Sequence, residues 1–229
     1  MIRAIINIFR IPELRNRVFF TLSMLAIYRI GFWIPLAGVN QQQMMEAAQK
    51  ASEDSSGWGK FLDYASIFSG GSFSQSTIFG LGIMPYITAS IIFQLLQSVM
   101  PKLKELKKEG ASGQAKITEW TRYATVAMCL IQGMMWLKFT AAQGLIRPEF
   151  LYPGGLLVFY IAGITALTAG SVFLMWLGEQ IDKYGIGNGV SLILTAGIIA
   201  RMPNALQWIW DNFDSSQQST GSGIGIMGV

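Results

Sequence analysis

Residues that could carry acid–base, nucleophilic or metal chemistry are scarce in this chain. Among its 229 residues there is no histidine and one cysteine, Cys129. An enzyme site needs a nucleophile beside a base, or a metal held by several ligands. No pair of carboxylates lies deep within an apolar stretch of the sequence. We therefore predict that the chain is not an enzyme and holds neither a metal nor a cofactor.

A glycine-rich motif, GIGNG at 185–189, is the other candidate for ligand chemistry. A G-x-G pattern binds a dinucleotide when it follows a strand and opens a βαβ unit, and the surroundings here have no such pattern. We interpret the motif as a break between two helices, with Asn188 capping the helix that begins near Val190. No direct binding of nucleic acid is expected.

The composition indicates a membrane protein. Hydrophobic residues make up 52% of the chain and charged residues 13%, whereas an average soluble domain carries about 25% charge. A membrane-spanning helix needs roughly 20 mostly apolar residues. Five stretches can provide one: 18–36, 64–101, 120–140, 150–178 and 184–200, the last continuing to 210. The predicted fold is an all-α, polytopic membrane helix bundle with five transmembrane helices.

The uncharged stretch 64–101 is too long for one ordinary span. The adjacent glycines Gly70 and Gly71 divide it, because glycine in a helix interior costs about 1 kcal/mol relative to alanine. We predict a short half-helix at 64–69 and a full span from about 76 to 100. A broken helix at membrane depth must be buried in protein or line a wet cavity. The alternative is an interfacial segment outside the bilayer.

Lysine and arginine counts between the spans predict the orientation. One set of alternate segments carries eleven of them and the other set four, so the N-terminus and the loop 101–122 should be cytoplasmic. Residues 1–17 form an amphipathic N-terminal segment, and residues 18–210 form the five-helix unit. Residues 211–229 are expected to be a flexible tail leading into a truncated sixth span, as in the first part of a longer protein.

Several stretches resemble the SecY family of protein-conducting channels, in order along nearly the whole chain. The stretch FSGGSFSQSTIFGLGIMPYITASIIFQLL at 68–96 is similar to the family's plug and second transmembrane helix. FLMWLGEQIDKYGIGNGVS at 173–191 resembles its junction between helices four and five. Shorter similarities are KKEGASG at 107–113, TRY at 121–123, RIG at 29–31 and Pro35. The family has ten helices in two pseudosymmetric halves, of which this chain would supply helices one to five.

The resemblance implies an hourglass pore closed at its waist by a ring of aliphatic side chains. The positions that match this pore ring are Ile83, Ile87, Val190 and Leu194. The members of each pair are four residues apart, so they share one helical face. A narrow apolar constriction resists wetting and ion flow. Ordinary helix packing produces the same spacing and remains the alternative.

The resemblance also implies a plug at about 64–74. Its residues would be Tyr64, Ile67, Phe68, Gly70, Gly71 and Phe73. Small and weakly hydrophobic residues would allow the plug to seat reversibly. The alternative is a rigid re-entrant support.

A lateral gate, through which apolar signals reach lipid, is implied between helices two and three. The matching residues are Thr88, Ile91 and Gln94 on helix two and Gln132 on helix three. A hydrogen bond between membrane helices is worth roughly 0.6–2 kcal/mol. An incoming apolar signal could break a bond of that strength, although a static interhelical bond is the alternative for each glutamine.

Further expectations concern location and partners. Lys104, Lys107 and Lys108 form a cytoplasmic cluster that is either a topology-setting surface beside anionic lipid or, as the resemblance implies, a partner contact. The implied partners are SecE and SecG subunits, the SecA motor or the ribosome, secretory precursor polypeptides and membrane lipids. The implied location is the inner (plasma) membrane, or the thylakoid membrane for an organellar protein.

The implied function is a channel that passes unfolded secretory polypeptides across the membrane and releases apolar segments sideways into lipid. A secondary transporter of a small solute is the alternative, because transporters also use broken helices at the midplane. Such transporters usually place ionisable residues inside their spans. The absence of aspartate and glutamate deep in any span weighs against that alternative.

Overall fold

The described part of the chain is helical. The computed structural model describes residues 11–44, 46, 76–152, 154–200, 202–203, 206–207 and 210. The helices that lie wholly within these ranges are α1 (Pro12–Gly31), α2 (Met84–Val99), α3 (Pro101–Lys108), α4 (Ala111–Ala142), α5 (Gly155–Tyr184) and α6 (Gly189–Ile199), with a 3-10 turn at Pro148–Phe150. These residues form no strand and only two isolated bridges, Pro35 to Thr77 and Val39 to Ile146. The all-α prediction is confirmed for them.

Helix α2 begins at Met84, so the predicted start near residue 76 is wrong. The preceding segment instead pairs with the chain that follows α1, where the Leu36 amide donates to the Ser76 carbonyl at 2.8 Å. Gly82 then adopts a left-handed conformation, with φ +59°, which a helix cannot continue through. Pro85 lies in the first turn of α2, where its missing N–H costs nothing.

The predicted loop 101–122 is a helical hairpin. Helix α3 ends at Lys108, and Gly110, with φ +74°, reverses the chain before α4 begins at Ala111. α3 packs on both α2 and α4. Gly113 makes this possible, because a Cβ there would overlap the carbonyl oxygen of Leu106. The stretch predicted as the third span is therefore part of a longer helix that starts in the polar hairpin.

Two of the helices in the described ranges are long and apolar enough to cross a membrane. They are α4, with 32 residues, and α5, with 30, which at 1.5 Å per residue exceed the roughly 30 Å of a bilayer core. α2 and α6 are apolar but shorter, with 16 and 11 residues. α1 has 20 residues but carries charges in both its first and last turns. The expected count of five spans is thus met by length and composition for α4 and α5 only.

The helices enclose two hydrophobic cores. Cluster A lies between α4, α5, the segments that follow α1 and α4, and the segment before α2. It consists of Leu36, Val39, Met44, Leu81, Cys129, Trp136, Leu137, Leu145, Ile146, Phe159 and Leu167. Cluster B joins α1, α5, α6 and the start of α2, and consists of Tyr28, Phe32, Phe79, Ile83, Leu174, Leu177, Ile181 and Ile193.

The outward faces of the helices are also apolar. Large hydrophobic side chains remain exposed along each of the long helices, for example Leu95, Met135, Leu157 and Ile161. A water-soluble protein rarely leaves so many large apolar side chains uncovered. These faces fit a lipid environment.

Candidate functional site

The four predicted pore-ring residues converge on cluster B. Ile83 is a member of the cluster and is 4% exposed. Ile87, Val190 and Leu194 are partly buried and pack against it. The structure therefore brings together residues that are more than 100 positions apart in the sequence, from the start of α2 and from α6.

Ile83 and Ile87 differ in their exposure. Ile83 is the N-cap of α2, and its carbonyl accepts the Ile87 amide at 3.1 Å. The two residues are thus one turn apart, as their spacing predicted. In the described part of the chain Ile83 faces the core, whereas Ile87 lies at the edge of the cluster.

Aromatic rings support this cluster from the α1 side. Tyr28 lies edge-on to Phe32 at 4.9 Å between centroids, and the Phe79 ring lies parallel to that of Tyr28 at 6.5 Å. Phe79 also stacks on Phe173 of α5 at 6.0 Å. Because Phe79 precedes α2 by only a few residues, these contacts fix the start of α2 against α1 and α5.

Helices α5 and α6 meet at the predicted break, which is confirmed. Asn188 caps α6, since its side-chain oxygen accepts the Ser191 amide at 3.0 Å. The Asp182 carboxylate accepts the Gly189 amide at 2.7 Å. The two helices then touch backbone to backbone, because a Cβ on Gly189 would overlap the carbonyl oxygen of Gly178.

Helix α1 holds the same junction from the other side. The Thr21 hydroxyl accepts the Ile186 amide at 3.1 Å and donates to the Arg17 carbonyl at 2.9 Å. The Arg17 guanidinium makes a long contact of 3.5 Å with the Gly185 carbonyl. The links to Ile186 and Gly185 join residues 165 and 168 positions apart and were not predicted from the sequence.

An ion pair between α4 and α5 was also missed. The Arg122 guanidinium binds the Glu179 carboxylate through two bonds of 2.7 Å each. The two side chains are 49% and 21% exposed. The sequence placed Arg122 in a topology-setting loop, and no local pattern links it to a residue 57 positions away. Co-variation between the two positions is the signal that could have found the pair.

The predicted lateral-gate residues lie on α2 and α4, two helices that pack on each other. Thr88 donates to the Met84 carbonyl at 3.0 Å, and the Gln94 amide donates to the Ser90 hydroxyl at 3.4 Å, so both bond within α2. Ile91 is 50% exposed. Gln132 is half-buried on α4. In the described ranges neither glutamine forms a hydrogen bond between α2 and α4.

The predicted lysine cluster lies on α3. Lys104, Lys107 and Lys108 are all exposed, while Leu103 is buried. α3 is therefore amphipathic, with its apolar side on α2 and α4.

The predicted plug residues Tyr64, Ile67, Phe68, Gly70, Gly71 and Phe73 lie outside the described residues. Among the residues that are described, no group of three or more cysteine, aspartate or glutamate side chains could hold a metal ion.

Comparison with known proteins decides the family. The SecY family model matches residues 77–228, about two thirds of the chain. The chain belongs to the SecY family. It is accordingly a membrane protein, and the outward apolar faces described above are consistent with that. The matched region includes α2 to α6, and with them all four predicted pore-ring positions and all four predicted lateral-gate positions.

Individual SecY proteins are similar over most of the chain. The protein translocase subunit SecY of Haemophilus influenzae is 43% identical over 195 residues, which cover 85% of this chain and 42% of that protein. The SecY subunit of Thermotoga maritima is 39% identical over 222 residues, covering 92% of this chain and 51% of that protein. The chain thus spans about half the length of the curated relatives it matches.

Solved channel structures share the fold. Sec61 in a canine ribosome–channel complex from the endoplasmic reticulum superposes with a TM-score of 0.59 at 20% identity, covering 86% of this chain and 40% of that one. A SecY structure concerned with the plug domain and the closed state of the translocation channel gives 0.54 at 22% identity, covering 82% and 36%. The helix arrangement is therefore that of SecY and Sec61, along less than half of their length.

Proposed function

We propose that this chain is the N-terminal half of a protein-conducting channel that passes unfolded secretory polypeptides across a membrane and releases apolar segments into lipid. The observation that carries the proposal is the SecY family match over α2 to α6. It is supported by the convergence of Ile83, Ile87, Val190 and Leu194 on one cluster, as members of one pore ring would require.

The side chains of the proposed pore ring are aliphatic and carry no hydrogen-bonding groups. A translocating polypeptide offers a changing series of groups, so fixed hydrogen-bond partners would trap it. Aliphatic side chains form no such bonds and still exclude water and ions at a narrow waist. In this proposal Ile87, Val190 and Leu194 present that surface, and Ile83 anchors it in cluster B.

The other parts follow from the same proposal. α1, α2, α4, α5 and α6 form five spans, with the N-terminus and the α3 hairpin in the cytoplasm. Residues 64–74 form the plug. Thr88, Ile91, Gln94 and Gln132 lie at the lateral gate, where bonds confined to α2 leave the α2–α4 seam free to part.

The partners proposed are SecE and SecG, an ATP-hydrolysing SecA motor or a translating ribosome, secretory precursors and membrane lipids. The exposed Lys104, Lys107 and Lys108 would face the motor or ribosome from the cytoplasmic side. The membrane proposed is the inner (plasma) membrane, or the thylakoid membrane in an organelle. The chain itself breaks no bond, so the energy comes from the motor or ribosome.

Reconstitution tests the proposal. The natural protein is placed in vesicles with its energy source, and a secretory precursor is added. We expect the precursor to become resistant to external protease only when the protein is present, and a precursor without its apolar signal to remain digested. Vesicles that protect no precursor but accumulate a small solute would contradict the proposal and favour a secondary transporter.

A further inference from the structure

Backbone contact and apolar packing hold the first turn of α6 against α5. At the crossing point the backbones of α5 and α6 touch through Gly178 and Gly189, and two α6 side chains lie over Gly178, where a Cβ would come 3.6 Å from Val190 Cγ2 and 3.7 Å from Ile193 Cδ1. Apolar packing of this kind is non-directional. A directional hydrogen bond at the first turn would fix where α6 begins.

Asp182 provides that contact. It lies on α5 one turn after Gly178, so it moves with the helix that α6 crosses. Its carboxylate accepts the amide of Gly189, the first residue of α6, at 2.7 Å, a short bond for an N–H donor. A carboxylate beside a helix N-terminus also interacts favourably with the helix dipole.

A second contact restrains the turn between the helices. The Thr21 hydroxyl of α1 accepts the Ile186 amide at 3.1 Å, and Gly185 leaves the space for it, because a Cβ on Gly185 would lie 2.6 Å from that hydroxyl oxygen. The turn is thus held from α1 while the start of α6 is held from α5.

We propose that the Asp182 carboxylate, assisted by the Thr21 hydroxyl, is a positioning residue that sets α6 against α5 and so places Val190 and Leu194 in the pore ring. Val190 is adjacent to the bonded Gly189, and Leu194 lies one turn further on the same helical face. The proposal rests on the proposed function only in that these two residues are taken as the ring. The seating of α6 itself can be measured without any translocating polypeptide.

The experiment uses two buried thiols in the natural protein in membranes. Ile193→Cys, at a position 1% exposed on α6, reports release of that helix. The native Cys129, 0% exposed in cluster A, reports general loosening in the same molecule. A water-soluble maleimide is added to the resting protein, and the two labelling rates are compared in variants of Asp182.

We expect Asp182→Ala to raise the labelling rate at position 193 about fivefold. Loss of one acceptor at a helix N-terminus changes a conformational equilibrium by about this factor. Labelling of Cys129 should not change. Asp182→Asn keeps an acceptor oxygen, so its labelling rate at position 193 should stay within about twofold of the parent rate. Lys183→Ala is the matched control, because its ammonium contacts the Tyr184 ring and not α6.

Three results would overturn the proposal: no rise with Asp182→Ala, a parallel rise at Cys129, or equal rises with Asp182→Ala and Asp182→Asn. Should Ile193→Cys prevent folding, amide hydrogen exchange of residues 186–191 in the parent background provides the same comparison. These outcomes do not depend on translocation. Failure of the channel proposal would instead appear as unprotected precursor in vesicles.

Discussion

The close contact between Gly178 of α5 and Gly189 of α6 gives a prediction in which helix propensity and packing have opposite effects on stability. Alanine is favoured over glycine in a helix by up to about 1 kcal/mol. On propensity alone, Gly178→Ala and Gly189→Ala should both stabilise the protein. The two sites differ in the space available for the added methyl group.

The space around each glycine determines whether its alanine variant should be more or less stable than the parent. A Cβ on Gly178 would lie 3.6 Å from Val190 Cγ2, an ordinary contact, so Gly178→Ala should be neutral or stabilising. A Cβ on Gly189 would overlap the Gly178 carbonyl oxygen, which is backbone and cannot rotate away. Overpacking of this kind costs about 1–3 kcal/mol, so Gly189→Ala should be the less stable variant despite its better propensity.

The assay uses the single cysteine of the chain. Cys129 is buried, so a fluorogenic maleimide reacts with it only when the protein unfolds, and a temperature scan in detergent gives the midpoint. We expect Gly189→Ala to melt below the parent, by about 2–4 °C for each kcal/mol lost, and Gly178→Ala to melt at or above it. Equal midpoints for the two variants, or a more stable Gly189→Ala, would refute the close backbone contact.

Three further predictions test the contacts around the site. Arg122→Ala and Glu179→Gln should show a coupling energy of about 0.5–1 kcal/mol in a double-mutant cycle, because the pair is partly exposed. The coupling energy should fall in 1 M salt. Additive effects of the two substitutions would contradict the ion pair. Thr21→Val removes the acceptor for the Ile186 amide and should cost about 1 kcal/mol of stability in the thermal assay. Ser23→Ala should cost little, because the Ser23 hydroxyl bonds only within α1. Equal effects of the two substitutions would count against the link between α1 and the turn. Asn188→Ala should destabilise by about 1 kcal/mol and Asn188→Asp by much less; the same loss in both would argue against the side-chain cap.

The local features of the fold were predictable from the sequence. The break at 185–189 and the cap at Asn188 follow from glycine and asparagine chemistry over a few residues, and both are confirmed. The spans in α4 and α5 follow from the length of their apolar stretches. The start of α2 was not predictable in this way, because its preceding segment gives its backbone bonds to the chain after α1.

The contacts between distant residues were missed for a related reason. Arg122 with Glu179 and Thr21 with Ile186 depend on how the helices pack, and the sequence pattern of each helix carries no information about the other. The family resemblance predicted that the pore-ring residues would lie together, and they pack on cluster B. Their spacing of four alone is equally typical of ordinary packed helices.

The polypeptide path itself tests the central claim most directly. A photo-crosslinking amino acid is placed at position 87 of the natural protein with Cys129→Ser, and a stalled secretory precursor is engaged in the same membranes. Position 161, exposed on the outer face of α5, is the matched control. We predict an adduct between precursor and protein at position 87 and none, or far less, at position 161. An engaged precursor with no adduct at position 87, or with equal adducts at both positions, would contradict the assignment of Ile87 to the pore ring.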